Sequence, residues 1–290
     1  MKTGLVLEGG AMRGLFSAGV IDVMMEQGVA FDTLIGVSAG AAFGCNYKSG
    51  QIGRAIRYNM RFAQDKRYCS RWSLLRTGNL FGAEFCYHTI PNRLDLFDRK
   101  TFHDSPMKFY VVCTDIQTGM PVYHRCDTAN DTCYEWIRAS ASMPLVSTPV
   151  CLDGSLLLDG GISDSIPLQY MMDHGFEKNV VVLTQPRSYV KRPASMMALL
   201  RMKLRKYPQL LRTMGERHKD YNRSRRLVFA GERQGNVFVI CPDEPLPIGR
   251  IEHDPENMHR VYQLGRAVAE RRLEALKDFM NSEPSVHTEG

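Results

Sequence analysis

The sequence predicts an α/β protein built on a mostly parallel sheet. Two short apolar runs, Leu5-Val6-Leu7 and Leu34-Ile35, lie within residues 5–40. Each ends in a glycine-marked corner, and a helix pattern follows each corner. Strand, helix, strand and helix at this spacing make a βαβ unit, whose strands run parallel with a right-handed crossover. A third apolar run, Val180-Val181-Val182-Leu183, has the buried, β-branched character of a strand inside such a sheet.

Taken in order, residues 4–7 form the first strand. The helix after it starts near Arg13-Gly14 and reaches about Glu26, with Phe16, Val20, Val23 and Met24 on one face and Gly28 as its stop. A second strand, Thr33 to Val37, leads into a helix that opens with the small residues Gly40-Ala41-Ala42. Gln51 to Ala63 reads as helix. Cys69 to Phe97 is rich in aromatics and arginine without a clean period, and suits the lining or cover of a pocket. Lys108 to Asp115 and Met120 to Arg125 read as a hairpin around Gln117-Thr118-Gly119. Thr132 to Ser142 is a helix stopped by Pro144. Short strands flank the turn Asp153-Gly154-Ser155, and the second runs into Asp159-Gly160-Gly161. A helix from about Ser165 to Asp173 carries Pro167 in its first turn. Asn179 to Thr184 is the strand expected to close the core sheet.

The texture changes at about residue 187. Met196, Leu200, Leu204, Tyr207, Leu211 and Met214 recur at helical spacing among basic residues, with a kink or break at Pro208. A strand from Asn236 to Cys241 follows, then a proline-rich loop. A last helix is signalled by Asp254-Pro255-Glu256. The domain reading is therefore a catalytic domain over 1–186 and a basic, mainly helical C-terminal extension over 187–290, with a disordered tail from about 282.

Composition narrows the class. Hydrophobic residues at 44% and charged residues at 23% exclude a disordered chain. No run of about 18 apolar residues exists, which excludes a membrane-spanning helix on the sequence pattern, and no apolar segment of signal-peptide length follows Met1-Lys2-Thr3-Gly4. The eight cysteines include no C-x-x-C pair. They read as reduced thiols of a cytoplasmic protein, with neither a disulfide frame nor a metal site. Charge is uneven. Residues 187–226 hold 13 Lys/Arg against 2 Asp/Glu, a net of +11, while the whole chain is only +6. Such a segment suits an anionic membrane surface or a solvated helical face. Its sparse aromatics argue against nucleic acid.

The two corners carry the chemistry. Gly36-Val37-Ser38-Ala39-Gly40 matches the G-x-S-x-G nucleophile elbow, in which a sharp turn pushes the serine out of the fold. Serine needs a base to take its proton, and attack on an ester carbonyl creates an oxyanion that preorganised N–H groups must meet. Glu8-Gly9-Gly10-Ala11-Met12-Arg13-Gly14 offers such donors at a helix start, making Gly9, Gly10 and Ala11 the oxyanion-hole candidates with Arg13 as added positive field. Its G-G-x-x-x-G spacing is not that of a dinucleotide-binding turn. Asp159 ends an apolar strand and is backed by Gly160 and Gly161. Ligands bind outside the carboxyl ends of parallel strands, so Asp159 meets Ser38 there if their strands are neighbours. His253 or His259 would serve an ordinary α/β-hydrolase triad, but an elbow after only two strands is early for that fold.

The ordered set Gly9-Gly10-Ala11-Met12-Arg13-Gly14, Gly36-Val37-Ser38-Ala39-Gly40 and Asp159-Gly160-Gly161 resembles the patatin-like phospholipases. Thr114 to Gly119 and Ala139 to Pro144 match the family's segments in kind. The resemblance covers roughly residues 4–185. It implies a three-layer α/β/α sandwich and a Ser38–Asp159 dyad, with Gly36, Gly40, Gly160 and Gly161 in support. The implied activity is hydrolysis of phospholipid or lysophospholipid acyl esters through an acyl-serine, with no cofactor and no metal. The alternative is a catalytically weak or inactive lipid- or protein-binding member. Alanine stands at position 11 where the family usually has a third glycine. A positive φ there would put strain on the loop.

Overall fold

The computed structural model describes residues 1–195 and 197–282. Met196 of the amphipathic series, and the tail beyond Ser282 that was expected to be disordered, lie outside them.

The first half comprises β1 (Thr3–Leu7), α1 (Gly14–Glu26), β2 (Thr33–Val37), α2 (Ala39–Lys48), α3 (Arg54–Phe62), α4 (Arg71–Thr77) and α5 (Arg99–Asp104). It continues through β3 (Lys108–Asp115), β4 (Pro121–Arg125) and α6 (Asp131–Ser140). The second half comprises β5 (Val150–Leu152), β6 (Ser155–Asp159), α7 (Leu168–Asp173), β7 (Lys178–Val182), α8 (Met197–Lys203), α9 (Pro208–Gln234), β8 (Val237–Ile240) and α10 (Pro255–Asn281).

One sheet of eight strands runs β5-β6-β3-β2-β1-β7-β8, with β4 also paired to β3. The five strands from β3 to β8 are mutually parallel, while β4, β5 and β6 are antiparallel additions. Period-two alternation divides the apolar residues between two cores. Leu5, Leu7, Leu34, Val111, Val180, Val182, Phe238 and Ile240 face one side with α1, α2, α6 and α10. Val6, Ile35, Val112, Val181, Val237 and Val239 face the other with α7 and α9. This is the expected three-layer α/β/α sandwich.

One expectation is corrected. β7 does not close the sheet, because β8 pairs with it in parallel from Asn179–Val237 to Val182–Ile240. The chain after residue 187 thus adds a strand to the sheet and a helix to each outer layer. α10 crosses α1 so closely that a β-carbon on Gly19 would stand 2.1 Å from the Tyr262 carbonyl oxygen, and one on Gly265 2.0 Å from that of Phe16. The basic amphipathic stretch is broken at Pro208, as expected, into two helices. Pro208 is the first residue of α9, where its missing N–H costs nothing, and the break falls before it. β2 and β6 do not pair with each other but both pair with β3. They share one edge of β3 end to end.

The aromatic stretch without a period is irregular for a physical reason. Phe85–Leu94 is π-helical and contains Pro91. Its i→i+5 bonding takes side chains off the 3.6-residue spacing.

Candidate active site

Parallel strands bring their carboxyl ends to one rim, and the site forms there. β3 pairs with β2 as far as Val112–Val37 and, on the same edge, with β6 from Cys113–Asp159. Ser38 follows Val37, so the serine and the aspartate meet where one strand stops and the other arrives.

Ser38 sits at φ 55, ψ −121, between β2 and the first turn of α2. Such a backbone costs about 1–3 kcal/mol and persists only where the surroundings enforce it. Here they do. The Ser38 N–H donates to Ser140 Oγ at 2.8 Å, and Ser140 Oγ donates to the Val112 carbonyl at 2.6 Å, bracing the elbow against β3. Gly36 and Gly40 leave room for the sharp turn. A β-carbon on Gly40 would stand 2.4 Å from the Leu7 carbonyl oxygen.

Asp159 is only 2% exposed. Its Oδ1 accepts the Gly161 N–H at 2.7 Å, while Oδ2 has no full-geometry hydrogen bond among the described residues. Burial raises its pKa. Arg217 pulls it back most strongly, followed by the nearby Ser38 hydroxyl, the Gly161 N–H and Arg250. Thr114 Oγ1 donates to the Asp159 carbonyl at 2.8 Å. Asp115, by contrast, caps its own turn, accepting from Gln117 and Thr118 N–H groups. Gly160 lies against β3, where a β-carbon would stand 2.1 Å from the Val112 carbonyl oxygen.

The glycine corner faces the elbow. A β-carbon on Gly9 would lie 3.0 Å from Ser38 Cβ. The N–H groups of Gly9, Gly10 and Ala11 make no backbone hydrogen bond among the described residues, as the start of an uncapped helix requires. Ala11 adopts φ 49, so the position does call for the glycine-favoured region and alanine holds it under strain. Arg13 lines the same cavity, and its Nε is buried without a partner among the described residues.

The cavity over these groups has a volume of about 320 Å³. On one side of Ser38 it is apolar, with Phe43, Tyr58, Leu80, Phe81, Ile90 and Ile137 in its wall. The aperiodic stretch does line a pocket. On the other side stand Glu8, Tyr189, Lys191, Arg217, Tyr221 and Arg250. Glu8 is buried at the end of β1, accepting from the Tyr221 hydroxyl and the Thr184 N–H, each at 2.6 Å.

Sequence reasoning missed this second wall. Its signal was the basic stretch, which was assigned to a surface. Two of that stretch's cations, Lys191 and Arg217, turn into the cavity instead. Also missed was the Ala39 N–H, which follows Ser38 and makes no backbone hydrogen bond outside its helix. No histidine lines the cavity among the described residues. His253 contacts the Ala63 carbonyl, and His259 contacts Gln263.

No described helix is long and apolar enough to cross a membrane. Comparison with known proteins agrees with the motif order. A model described as patatin-like phospholipase matches residues 5–172, and one described as a domain of unknown function (DUF6363) matches residues 207–281. Over 276 residues the chain is 29% identical to the uncharacterized protein YjjU of Escherichia coli, covering 91% of this chain and 75% of that one. Over 184 residues it is 32% identical to lysophospholipase nte1 of Aspergillus oryzae, covering 60% of this chain but only 11% of that much longer protein. The solved structure of VipD from Legionella pneumophila aligns with 94% of this chain and 67% of its own at 13% identity, with a TM-score of 0.48. With the patatin-like model matching more than half of its residues, the chain belongs to the patatin-like phospholipase family.

Proposed function

We propose that the protein is a serine lipid acyl hydrolase of the phospholipase A or lysophospholipase kind, working by a Ser38–Asp159 dyad. The reading rests on one observation above the others. A serine on a strained elbow stands beside a buried carboxylate whose Oδ2 has no full-geometry hydrogen bond among the described residues. In the first step Ser38 Oγ attacks the ester carbonyl carbon and Asp159 takes the hydroxyl proton. N–H groups of Gly9, Gly10, Ala11 and Ala39 face the oxyanion, which in such sites is the largest stabilisation. Collapse breaks the ester C–O bond, and Asp159 returns the proton to the leaving alcohol. Water then attacks the acyl-serine, Asp159 accepts its proton, and the fatty acid leaves as Ser38 recovers its hydrogen.

The apolar wall suits an acyl chain, and the lysophospholipase name of the fungal relative supports the substrate class. Eight free cysteines support a cytoplasmic setting, and the exposed remainder of residues 187–226 supports work at the inner face of an anionic membrane.

A fluorophosphonate probe tests the reading. Wild-type protein becomes labelled on Ser38 and hydrolyses a lysophospholipid, and Ser38→Ala does neither. A folded wild type that resists the probe and cleaves no acyl ester would instead favour a lipid- or protein-binding role.

A further inference from the structure

The cavity is charged on one side in a way that ester hydrolysis alone does not need. Arg13, Lys191, Arg217 and Arg250 come from four segments and meet at its polar wall. None of the four is in an ion pair among the described residues, whereas Arg54 across the cavity is paired with Asp95, and Arg187 nearby with Glu232. The two carboxylates in the wall do not balance them. Glu8 spends both oxygens on Tyr221 and Thr184, and Asp159, which feels Arg217 and lies beside Ser38, is a single further charge against four cations.

Two of the cations are also held in place. Asn222 of α9 clasps the Lys191 backbone at both ends, accepting its N–H at 2.9 Å and donating to its carbonyl at 3.0 Å. The Lys191 ammonium lies 4.2 Å from the Tyr221 ring centroid. Arg217 Nε donates to the Gly161 carbonyl, which fixes the guanidinium beside the Asp159-Gly160-Gly161 corner. Crowding like charges in a half-closed cavity is costly unless an anion joins them. Lys191 registers that cost. Its pKa is lowered to about 8 by burial and by Arg217, with Arg13 and Arg250 adding and Glu8 opposing.

We propose that Arg13, Lys191, Arg217 and Arg250 form a phosphate-binding subsite beside Ser38, which selects acyl lipids carrying a phosphate next to the scissile ester. The selection rests on the acyl hydrolase reading, whereas phosphate binding does not. Three guanidinium groups and an ammonium match the several acceptor oxygens of a phosphate. With the acyl chain along the apolar wall and the phosphate against the cations, the ester of a lysophospholipid lies over Ser38. The C-terminal chain supplies three of the four cations, which gives that segment a part in specificity.

Calorimetry on Ser38→Ala protein separates binding from turnover. Glycerol 3-phosphate binds, glycerol does not, and affinity falls about tenfold in the added Lys191→Met or Arg250→Gln change, on the scale of a lost charged hydrogen bond. Arg250 is exposed, so its variant keeps the test open if Lys191→Met misfolds. Affinity also falls between pH 7 and pH 9 as Lys191 loses its proton. In wild type, kcat/KM for 1-acylglycerol 3-phosphate exceeds that for the matching monoacylglycerol at least tenfold, and the ratio collapses in both variants.

No detectable glycerol 3-phosphate binding at millimolar concentration overturns the subsite, as does binding that both variants leave intact. Inorganic phosphate binding as tightly as glycerol 3-phosphate, with no preference for the phosphorylated lipid, overturns the headgroup role and points to free phosphate as the ligand. Phosphate binding that depends on these residues, in a protein that cleaves no ester, supports the subsite and overturns the dyad.

Discussion

Ser38 and Asp159 are brought together by a third strand that pairs with both of theirs. β3 holds β2 along one edge as far as Val112 and takes up β6 on that edge from Cys113. The two strand ends confront each other, so the serine and the carboxylate share a buried junction. Ser140, bonded to the Val112 carbonyl and the Ser38 N–H, locks that junction.

Replacing Asp159 by Asn keeps the shape and removes the proposed base. The expected loss in kcat is about 10²–10⁴-fold, the range for a positioned general base. Steady-state hydrolysis of a short-chain ester measures it, with circular dichroism to show that the variant folds. Full activity would sink the dyad.

The pH profile follows from the burial of Asp159. Its carboxyl holds its proton more tightly than an ordinary aspartate, and the base form is lost as pH falls through that raised pKa. The acid limb of kcat/KM therefore lies above the usual aspartate range. Arg217 favours the carboxylate, so Arg217→Met moves the limb to higher pH. A neutral ester substrate isolates this shift from headgroup binding. A limb that stays in place would mean that Asp159 does not set it.

Ala11 holds φ 49 in the loop that faces the serine. Glycine adopts that backbone without the clash of a β-carbon, which costs roughly 1–2 kcal/mol. Ala11→Gly is expected to raise stability by about 1 kcal/mol, after allowing for glycine's larger entropy loss on folding. Urea denaturation reads the change as a higher midpoint. A lower midpoint would place the strain elsewhere.

Gly265 touches the Phe16 backbone where α10 crosses α1, with 2.0 Å available to a β-carbon. Gly265→Ala forces the helices apart and is expected to cost about 1–3 kcal/mol, as overpacking does. A single cooperative transition at lower temperature is the expected calorimetric trace, because α10 packs into the same core as α1. An unchanged transition would show that the crossing relaxes freely.

Much of the fold and half of the site were legible in the sequence. The elbow, the glycine corner and the Asp159 corner are local devices. Each needs particular residues at fixed spacing to turn a strand into a helix or a tight turn, so composition and order reveal them. The unbroken apolar run Leu5-Val6-Leu7 is equally local, and it suits a buried strand. Asp254-Pro255 marked a helix start, and Pro208 a break, for the same reason. What only the tertiary structure decided was pairing at long range. Nothing local says that β6 runs antiparallel onto the end of β3's shared edge, or that β8 adds to β7 across some 50 residues of intervening chain. Nor does the basic run declare which of its charges face water. Lys191 and Arg217 look like their exposed neighbours in sequence. They point inward because Asn222, Tyr221 and the Gly161 carbonyl hold them there, and those partners meet only when α9 packs across the sheet.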